Sequence, residues 1–249
     1  MIKTLIFDVD GTLADTERDG HRVAFNQAFE QLGIGWNWDV RTYGELLKIT
    51  GGKARMKHYI DNYEGVGEGI DDVEAFLKKA HAQKTRNYVE LLNHSAIPLR
   101  PGVERLLNEA RDAGLGLAIA TTTTPANVTA LLKNTLGEES LGWFDYIGAG
   151  DIVDNLKPAP DIYELVLDTL DLKPQHCIAF EDSYNGIQSA QGAGLKTVIT
   201  RNDYTRHEDF DGALLVLDQL GDADNPSSVM RATFEQDYLS LDALLQLAE

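Results

Sequence analysis

Two aspartates near the start of the chain, Asp8 and Asp10, are the side chains best placed to do chemistry. They follow an apolar run of strand length at residues 4–7 and precede Gly11, which can adopt backbone conformations that other residues avoid. Because residues i and i+2 of a strand point the same way, both carboxylates converge where this strand ends. A hard, oxygen-seeking cation such as Mg²⁺ would relieve their repulsion. Taken alone, a strand followed by an acidic turn explains the same pattern.

Three later segments also place polar side chains at the ends of predicted elements. Thr121 follows an apolar run and can donate to a phosphoryl oxygen, although residues 121–124 also suit a turn. Lys157 stands just before a predicted helix, where a compact cation can neutralise phosphate; a surface lysine is the alternative. Glu181 and Asp182 end another apolar run, and an acidic helix N-terminus is the alternative there.

In this order the four segments resemble the four motifs of the haloacid dehalogenase superfamily of phosphotransferases, and the resemblance covers nearly the whole chain. The first motif reads Asp8-Val9-Asp10-Gly11-Thr12. The resemblance implies that Asp8 is the nucleophile that forms an aspartyl-phosphate and that Asp10 is the general acid and base. Dehalogenating members lack the second aspartate, so Asp10 favours phosphoryl transfer.

The same resemblance implies a metal site and a set of phosphate contacts in the core. Mg²⁺ would be held by the carboxylate of Asp8, the backbone carbonyl of Asp10 and Asp182, with Glu181 beside them. The predicted contacts of the core with the phosphate are Thr121, Thr122 and Lys157. Mg²⁺ and Lys157 would together offset the charge that makes an anionic phosphate repel a carboxylate.

Hydrophobic periodicity divides the chain into two parts. From Arg18 to about Asn93, apolar residues recur at helical spacing and predict about four helices, separated by glycine-containing turns at 33–35, 51–52 and 64–69. From Gly102 onward, short apolar runs alternate with helical patterns, which predicts a mostly parallel sheet covered on both faces. The predicted fold is therefore α/β, with a three-layer Rossmann-like core of residues 1–15 and 96–249 and an inserted four-helix cap domain of residues 16–95.

The sheet and the tail are predicted in more detail from the same patterns. The predicted strands are 4–7, 115–120, 146–147, 177–180 and 195–200, with an edge strand in 213–217. Helices are predicted after Gly102, from Thr124-Pro125, and over 161–170 and 186–193. The tail from residue 222 begins polar and ends in an amphipathic segment at 238–247, which we interpret as a packing helix.

Two stretches of the predicted cap contain candidate substrate contacts. Residues 16–21 lie at the hinge, and a solvated helix explains their polar side chains equally well. Residues 50–55 form a glycine-rich turn at a helix N-terminus with two cations, which suits a phosphate. The predicted contacts are Glu17, His21, Thr50, Gly51, Gly52, Lys53 and Arg55.

Both cap stretches resemble those of the CbbY-type phosphatases, which dephosphorylate xylulose-1,5-bisphosphate, a misfire product that inhibits Rubisco. The resemblance implies Mg²⁺-dependent hydrolysis of this sugar phosphate to xylulose 5-phosphate. β-Phosphoglucomutase is the main alternative because it shares the fold, both aspartates and a second phosphate subsite. A non-catalytic phosphosugar-binding protein is a third reading, and the joint presence of Asp8, Asp10, Lys157 and Asp182 argues against it.

Composition and charge limit the partners that we expect. The formal charge of −18 over 249 residues would repel nucleic acid and anionic lipid, so a small sugar phosphate is the expected partner. Asp8 interrupts the N-terminal apolar run, which predicts neither a signal peptide nor a membrane span. The single cysteine, Cys177, lies in an apolar run and is expected to be buried in a reducing compartment. We therefore expect a cytoplasmic monomer.

Overall fold

A six-stranded, all-parallel sheet lies at the centre of the computed structural model, which describes residues 1–63, 66, 68–94 and 97–249. The strand order is β3-β2-β1-β4-β5-β6. The strands are β1 (Thr4–Phe7), β2 (Gly116–Thr121), β3 (Tyr146–Ala149), β4 (Cys177–Glu181), β5 (Lys196–Thr200) and β6 (Leu215–Leu217). The predicted strands are confirmed, with ends that differ by one or two residues.

The first strand, β1, is apolar along its length because both of its faces are covered. Leu5 and Phe7 pack into one hydrophobic cluster, and Ile6 packs into another on the opposite face. Helices α5 (Val103–Asp112) and α6 (Pro125–Leu136) cover the first face, whereas α7 (Asp161–Thr169) and α8 (Tyr184–Gly192) cover the second. The predicted three-layer α/β fold is confirmed.

Between β1 and α5 the chain forms four helices with an aromatic core of their own. They are α1 (Arg22–Gln31), which one turn of π-helix precedes, α2 (Val40–Leu46), α3 (Gly52–Asn62) and α4 (Val73–His94). Phe25, Phe29, Trp38 and Tyr43 are fully buried among these helices. The predicted four-helix cap is confirmed as part of the fold.

The limits of the cap domain stay a prediction. Residues 95 and 96, where the division was placed, lie outside the described residues, as do residues 64, 65 and 67 of the turn predicted at 64–69. The two connections to the core meet where Ala14 bridges Leu99, and the amide of Arg100 donates to the carbonyl of Leu13.

The side chain of Arg100 joins these connections to the sheet. Its buried guanidinium donates to four backbone carbonyls, those of Gly11, Thr200, Arg201 and Asp218. The chain entering the cap is therefore held against the ends of β5 and β6 by one cation.

The tail contains one helix more than the sequence predicts. Helix α10 (Leu241–Leu247) corresponds to the amphipathic segment, and α9 (Ser228–Phe234) precedes it. α9 is short and buries only Met230, so its apolar pattern is weak. Its N-terminus is held by Ser227, which accepts from the amide of Met230, and by Asp218, which accepts from the amide of Ser228. Hydrophobic periodicity does not reveal such hydrogen bonds, so α9 was not predicted.

The tail packs against α5 through two side chains of that helix. Arg105 donates to the carbonyls of Gly221 and Leu239, and Glu109 accepts from the amide of Leu241. Leu244 of α10 lies fully buried in the same cluster as β1. The tail is thus part of the helical layer on one face of the sheet.

Within the described residues, no helix combines the length and the apolar character needed to span a membrane.

We expect Leu244→Ala to lower the free energy of unfolding by roughly 2–5 kcal/mol, because it removes buried methyl groups and leaves a cavity. Leu247 lies on the same helix and is 36% exposed. Leu247→Ala is the matched control and should cost about 1 kcal/mol or less. Urea denaturation of both variants measures the difference, and equal losses would contradict the packing of α10 on the sheet.

Candidate active site

The parallel register brings three of the predicted segments to one edge of the sheet. Phe7, the last residue of β1, lies opposite Ile119 of β2 and Phe180 of β4. Asp8, Thr121 and Asp182 therefore emerge side by side at the carboxyl ends of these strands, and all three are buried. Ligands of open parallel sheets bind at this edge.

Lys157 reaches this edge from the loop between β3 and α7. Its Nζ lies 2.8 Å from Oδ1 of Asp8, 2.6 Å from Oε1 of Glu181 and 2.9 Å from the carbonyl oxygen of Ala120. Burial acts to lower the pKa of Lys157, but the charges of Asp8 and Glu181 outweigh it and raise that pKa above its usual value. The lysine therefore stays charged between two carboxylates.

Glu181 is held in place by more than this lysine. Its Oε1 also accepts from the hydroxyl of Tyr163, at 2.7 Å. A Cβ at Gly186 would collide with the carboxylate, so only glycine fits at that position. Tyr163 and Gly186 are contacts that sequence reasoning missed, since each reads as an ordinary residue of a helix.

Asp8, Glu181 and Asp182 together form a cluster of negative charge. One carboxylate oxygen of each lies within 4.8 Å of the others. Burial raises the pKa of Asp8 to about 7, although the charge of Lys157 acts to lower it. Burial, together with the charges of Asp8 and Glu181, raises the pKa of Asp182 well above its usual value. Lys157 bonds to Asp8 and Glu181, whereas no lysine, arginine or histidine of the described residues forms an ion pair with Asp182. An all-oxygen donor set with excess negative charge suits a hard divalent cation.

The carboxylate of Asp182 is oriented by Asn202, which follows β5. The Nδ2 of Asn202 donates to Oδ2 of Asp182 at 2.7 Å. Gly11 packs against the same carboxylate with a φ of +86°, so a side chain there would both strain the backbone and collide with Asp182. Sequence reasoning missed Asn202, which stands two residues after the end of β5.

Asp10 faces the cap instead of the carboxylate cluster. Its Oδ1 accepts from the Oγ1 of Thr16 at 2.5 Å and lies 2.8 Å from Nε2 of His21. Burial acts to raise the pKa of Asp10, but the contacts with His21 and Thr16 outweigh it and hold this pKa below its usual value. His21 itself is buried and stacks on Tyr88 at 4.0 Å between ring centroids.

Lys84 of α4 completes this group and was missed from the sequence. Its Nζ lies 2.8 Å from Nδ1 of His21, and burial lowers the pKa of Lys84 to about 8. Since an ammonium can only donate, Nδ1 of His21 accepts and Nε2 is left to donate to Asp10. Lys84 therefore selects the tautomer of His21 that hydrogen-bonds to Asp10.

A second polar group of the cap joins Glu17 to Arg55. The hydroxyl of Tyr43 donates to the carboxylate of Glu17 and accepts from Nη1 of Arg55 at 2.9 Å. Arg55 also donates to the carbonyl of Leu46 at 3.2 Å. Tyr43 lies in the stretch for which the sequence predicts only helical periodicity, yet its hydroxyl hydrogen-bonds to both predicted contacts.

A cavity of about 420 Å³ lies between the sheet edge and the cap. Among the described residues, every predicted site residue lines it except His21, Gly52 and Lys53. His21 and Gly52 line a smaller cavity of about 40 Å³ on the cap side of Asp10. The Nζ of Lys53 lies 2.5 Å from Oδ2 of Asp151, on the exposed surface between cap and core. Three cations of the described residues therefore line the main cavity, Lys157 in the core and Lys48 and Arg55 in the cap.

Comparison with known proteins places this geometry in a family. Residues 2–194 match the family model of the haloacid dehalogenase-like hydrolases. The plasmid CbbY protein of Cupriavidus necator is 47% identical over 228 residues, which cover 90% of this chain and 88% of that protein.

Solved structures show the same relationship. CbbY from Rhodobacter sphaeroides in complex with xylulose-(1,5)bisphosphate has a TM-score of 0.83 at 44% identity, covering 88% of this chain and 95% of that one. A β-phosphoglucomutase from Clostridium difficile shares the fold with a TM-score of 0.75 at 22% identity, over 100% of this chain and 97% of its own. This chain therefore belongs to the haloacid dehalogenase-like hydrolase family, in which CbbY proteins are its relatives.

Proposed function

We propose that this protein is a Mg²⁺-dependent sugar phosphatase that acts through an aspartyl-phosphate, with xylulose-1,5-bisphosphate as its substrate. The observation that carries the proposal is the buried carboxylate of Asp8, held 2.8 Å from Lys157 at the edge of a cavity that Arg55 faces from the cap. The bound bisphosphate of the R. sphaeroides CbbY structure supports the choice of substrate.

Asp8 is the proposed nucleophile. Its carboxylate attacks the phosphorus atom in line, the bond from phosphorus to the sugar oxygen breaks, and the phosphoryl group is left on Asp8. Lys157 lies against Asp8 and reduces the repulsion between the carboxylate and the anionic phosphate. The hydroxyl of Thr121 lines the same end of the cavity and can donate to a phosphoryl oxygen.

Mg²⁺ is proposed to bind Asp8, Asp182 and the backbone carbonyl of Asp10. When bound, the ion supplies positive charge that offsets the phosphate and lowers the pKa of both carboxyl groups. Glu181 is turned toward Lys157 and Tyr163, and we assign it the role of positioning the lysine. Asn202 keeps the Asp182 carboxylate oriented toward the cluster.

Asp10 is the proposed general acid and base. Its lowered pKa keeps it ionised in the absence of substrate, and a phosphoryl group nearby would raise that pKa through like-charge repulsion. Asp10 can then hold a proton for the departing sugar oxygen and afterwards take one from the water that hydrolyses the aspartyl-phosphate. His21, fixed by Lys84, orients the Asp10 carboxylate.

The second phosphate of a bisphosphate is proposed to bind the cap. Arg55, Thr50 and Gly51 line the cavity from that side, and Arg55 is buried, so its charge is poorly screened by water. Lys53 stays a predicted contact, but its ammonium is paired with Asp151 and exposed. Arg55 is therefore the better-supported anchor.

The two alternatives have less support. The β-phosphoglucomutase of C. difficile resembles this chain in fold alone, whereas the CbbY protein of C. necator is 47% identical over 90% of this chain. A non-catalytic binding protein would not need a buried cluster of three carboxylates that one lysine only partly neutralises, which is costly to fold.

We further propose a cytoplasmic monomer that takes part in repair of Rubisco metabolites. The buried, unpaired Cys177 supports a reducing compartment, and the charge of −18 supports a small phosphorylated partner over nucleic acid or membrane.

The proposed function is tested by phosphate release from a panel of sugar phosphates with Mg²⁺ present. We expect xylulose-1,5-bisphosphate to be the best substrate and Asp8→Asn to retain less than about a hundredth of the activity, since losing a nucleophile costs several kcal/mol of barrier. Faster conversion of β-glucose 1-phosphate to glucose 6-phosphate would favour the mutase. Equal activity of Asp8→Asn would exclude Asp8 as the nucleophile.

Asp182→Asn is expected to weaken Mg²⁺ binding because it removes an anionic ligand, so its activity should recover in part at high Mg²⁺. Asp151 lies outside the carboxylate cluster, and Asp151→Asn is the matched control whose Mg²⁺ dependence should stay unchanged. Titrating Mg²⁺ in a phosphate-release assay measures both. Superimposable curves for wild type and Asp182→Asn would show that Asp182 is not a ligand.

Arg55→Ala is expected to reduce kcat/KM for xylulose-1,5-bisphosphate. The loss of transition-state stabilisation should be roughly 1.5–3 kcal/mol, the scale of a charge-assisted hydrogen bond. Turnover of a small sugar monophosphate should hardly change, because the second phosphate is remote from the reacting phosphorus. Lys53→Ala removes the exposed ion pair with Asp151, and its effect on kcat/KM should correspond to about 1 kcal/mol or less. A similar loss on both substrates would contradict the assignment of Arg55 to the second phosphate.

A further inference from the structure

The loop that follows β5 touches both the proposed metal site and the cap. At one end, Asn202 donates to the carboxylate of Asp182 at 2.7 Å. Two residues later, the ring of Tyr204 packs edge to face against Tyr43 of the cap, with ring centroids 6.2 Å apart. Tyr204 belongs to the Rossmann-like core domain, yet its side chain packs against the apolar cluster of the cap. One short segment therefore contacts the two parts of the molecule that the proposed reaction must bring together.

The segment is held together by hydrogen bonds among its own residues. The Oδ1 of Asn202 accepts from the backbone amides of Tyr204, at 2.9 Å, and Thr205, at 3.2 Å. The amide of Asn202 in turn donates to Oγ1 of Thr205 at 3.1 Å, and Arg100 holds the carbonyl of Arg201 at 2.6 Å. The same side-chain amide thus binds Asp182 through its nitrogen and the backbone of Tyr204 through its oxygen.

The contact of Tyr204 with the cap depends on ring packing. A Cβ built on Gly44 of α2 would lie 2.9 Å from Cδ1 of Tyr204, so the ring lies directly on the helix backbone. The hydroxyl of Tyr204 is buried and finds no hydrogen-bond partner among the described residues. The aromatic ring, and not the hydroxyl, is therefore what docks against α2.

From α2 the contacts continue to the residues proposed to bind substrate. Tyr43, which meets the Tyr204 ring, hydrogen-bonds to both Glu17 and Arg55. A continuous set of contacts therefore runs from the Asp182 carboxylate to the cap side of the cavity.

We propose that Asn202 and Tyr204 are positioning residues that couple metal binding at Asp182 to docking of the cap. The inference rests on the proposed function, which requires both a metal at Asp182 and a cap that closes over the cavity. When the cap is docked, Tyr204 is held against Gly44 and Asn202 is held against Asp182, which pre-organises the carboxylate. A cation on Asp182 restrains the same segment from the other end. Because such coupling is reciprocal, each event favours the other.

The test is hydrogen exchange of the α2 amides in the substrate-free protein, with and without Mg²⁺. In wild type we expect Mg²⁺ to slow exchange of peptides that cover Val40–Leu46 by about fivefold. Asn202→Ala and Tyr204→Ala should lose this response, whereas Tyr204→Phe should keep it because the ring is retained. A purely structural role would raise exchange in the variants but would leave their response to Mg²⁺ intact, and that result would overturn the coupling.

Two glycines of the cap provide a matched pair for the same measurement. Gly44→Ala places a methyl group against the Tyr204 ring and should abolish the response, and it should weaken Mg²⁺ binding about fivefold although it touches no carboxylate. Gly35 has nothing within 4 Å of its Cβ position, so Gly35→Ala should behave as wild type. Equal Mg²⁺ affinity in the two variants would overturn the coupling.

Calorimetric titration of Mg²⁺ separates failure of this inference from failure of the proposed function. If Mg²⁺ binds wild-type protein and α2 exchange is unchanged, the coupling is wrong and the phosphatase proposal stands. If calorimetry and the phosphate-release assay both show no role for Mg²⁺, the proposed function and the coupling fail together.

Discussion

The structure around the cavity depends on one electrostatic constraint, a group of buried carboxylates that share a single lysine. Asp8, Glu181 and Asp182 converge within 4.8 Å, and Lys157 lies between the first two. Charges buried this deeply are tolerated only when each has hydrogen-bond partners or a counter-ion. Tyr163 donates to Glu181, Asn202 donates to Asp182, and glycine is required at Gly11 and Gly186 so that the backbone can approach the carboxylates. The excess negative charge that remains is what a divalent cation would neutralise.

The cap meets the same constraint from the other side. An acidic protein must place its few cations locally, and Lys84 and Arg55 are both buried where the cap faces the core. Each is separated from a carboxylate by one polar group, Lys84 from Asp10 by His21 and Arg55 from Glu17 by Tyr43. The aromatic interior of the cap keeps these polar groups in place. The cap has an aromatic cluster of its own, but Ala24, Tyr88 and Leu92 of α1 and α4 pack into the same hydrophobic cluster as β1. Apolar packing, hydrogen bonds, ion pairs and the Tyr204 ring therefore all join the cap to the core.

Much of this arrangement could be predicted from local pattern. The alternation of short apolar runs with helical periods predicts a parallel sheet covered on both faces, and the carboxyl ends of parallel strands meet at one edge. Asp8, Thr121 and Asp182 could therefore be assigned to one place although they lie far apart in the chain. Three glycine-containing turns within a long helical stretch were enough to predict the cap. In each case the signal is a hydrophobic period or a turn residue, which can be recognised within a few neighbouring positions.

The helices, the strands and the polar residues at their ends can be predicted from the sequence, but the pairing of the charges depends on how the elements pack. Lys53 and Arg55 are two residues apart on one turn, yet Lys53 pairs with exposed Asp151 and Arg55 turns inward to Tyr43. Lys84, Asn202 and Arg100 have no local signature, because their partners are 63, 20 and about 100 residues away in the chain. Helix α9 is similar, since Asp218 holds its N-terminus from outside the helix. Electrostatic partners are chosen by distance in the folded state, and that distance exists only after the sheet and the cap have packed.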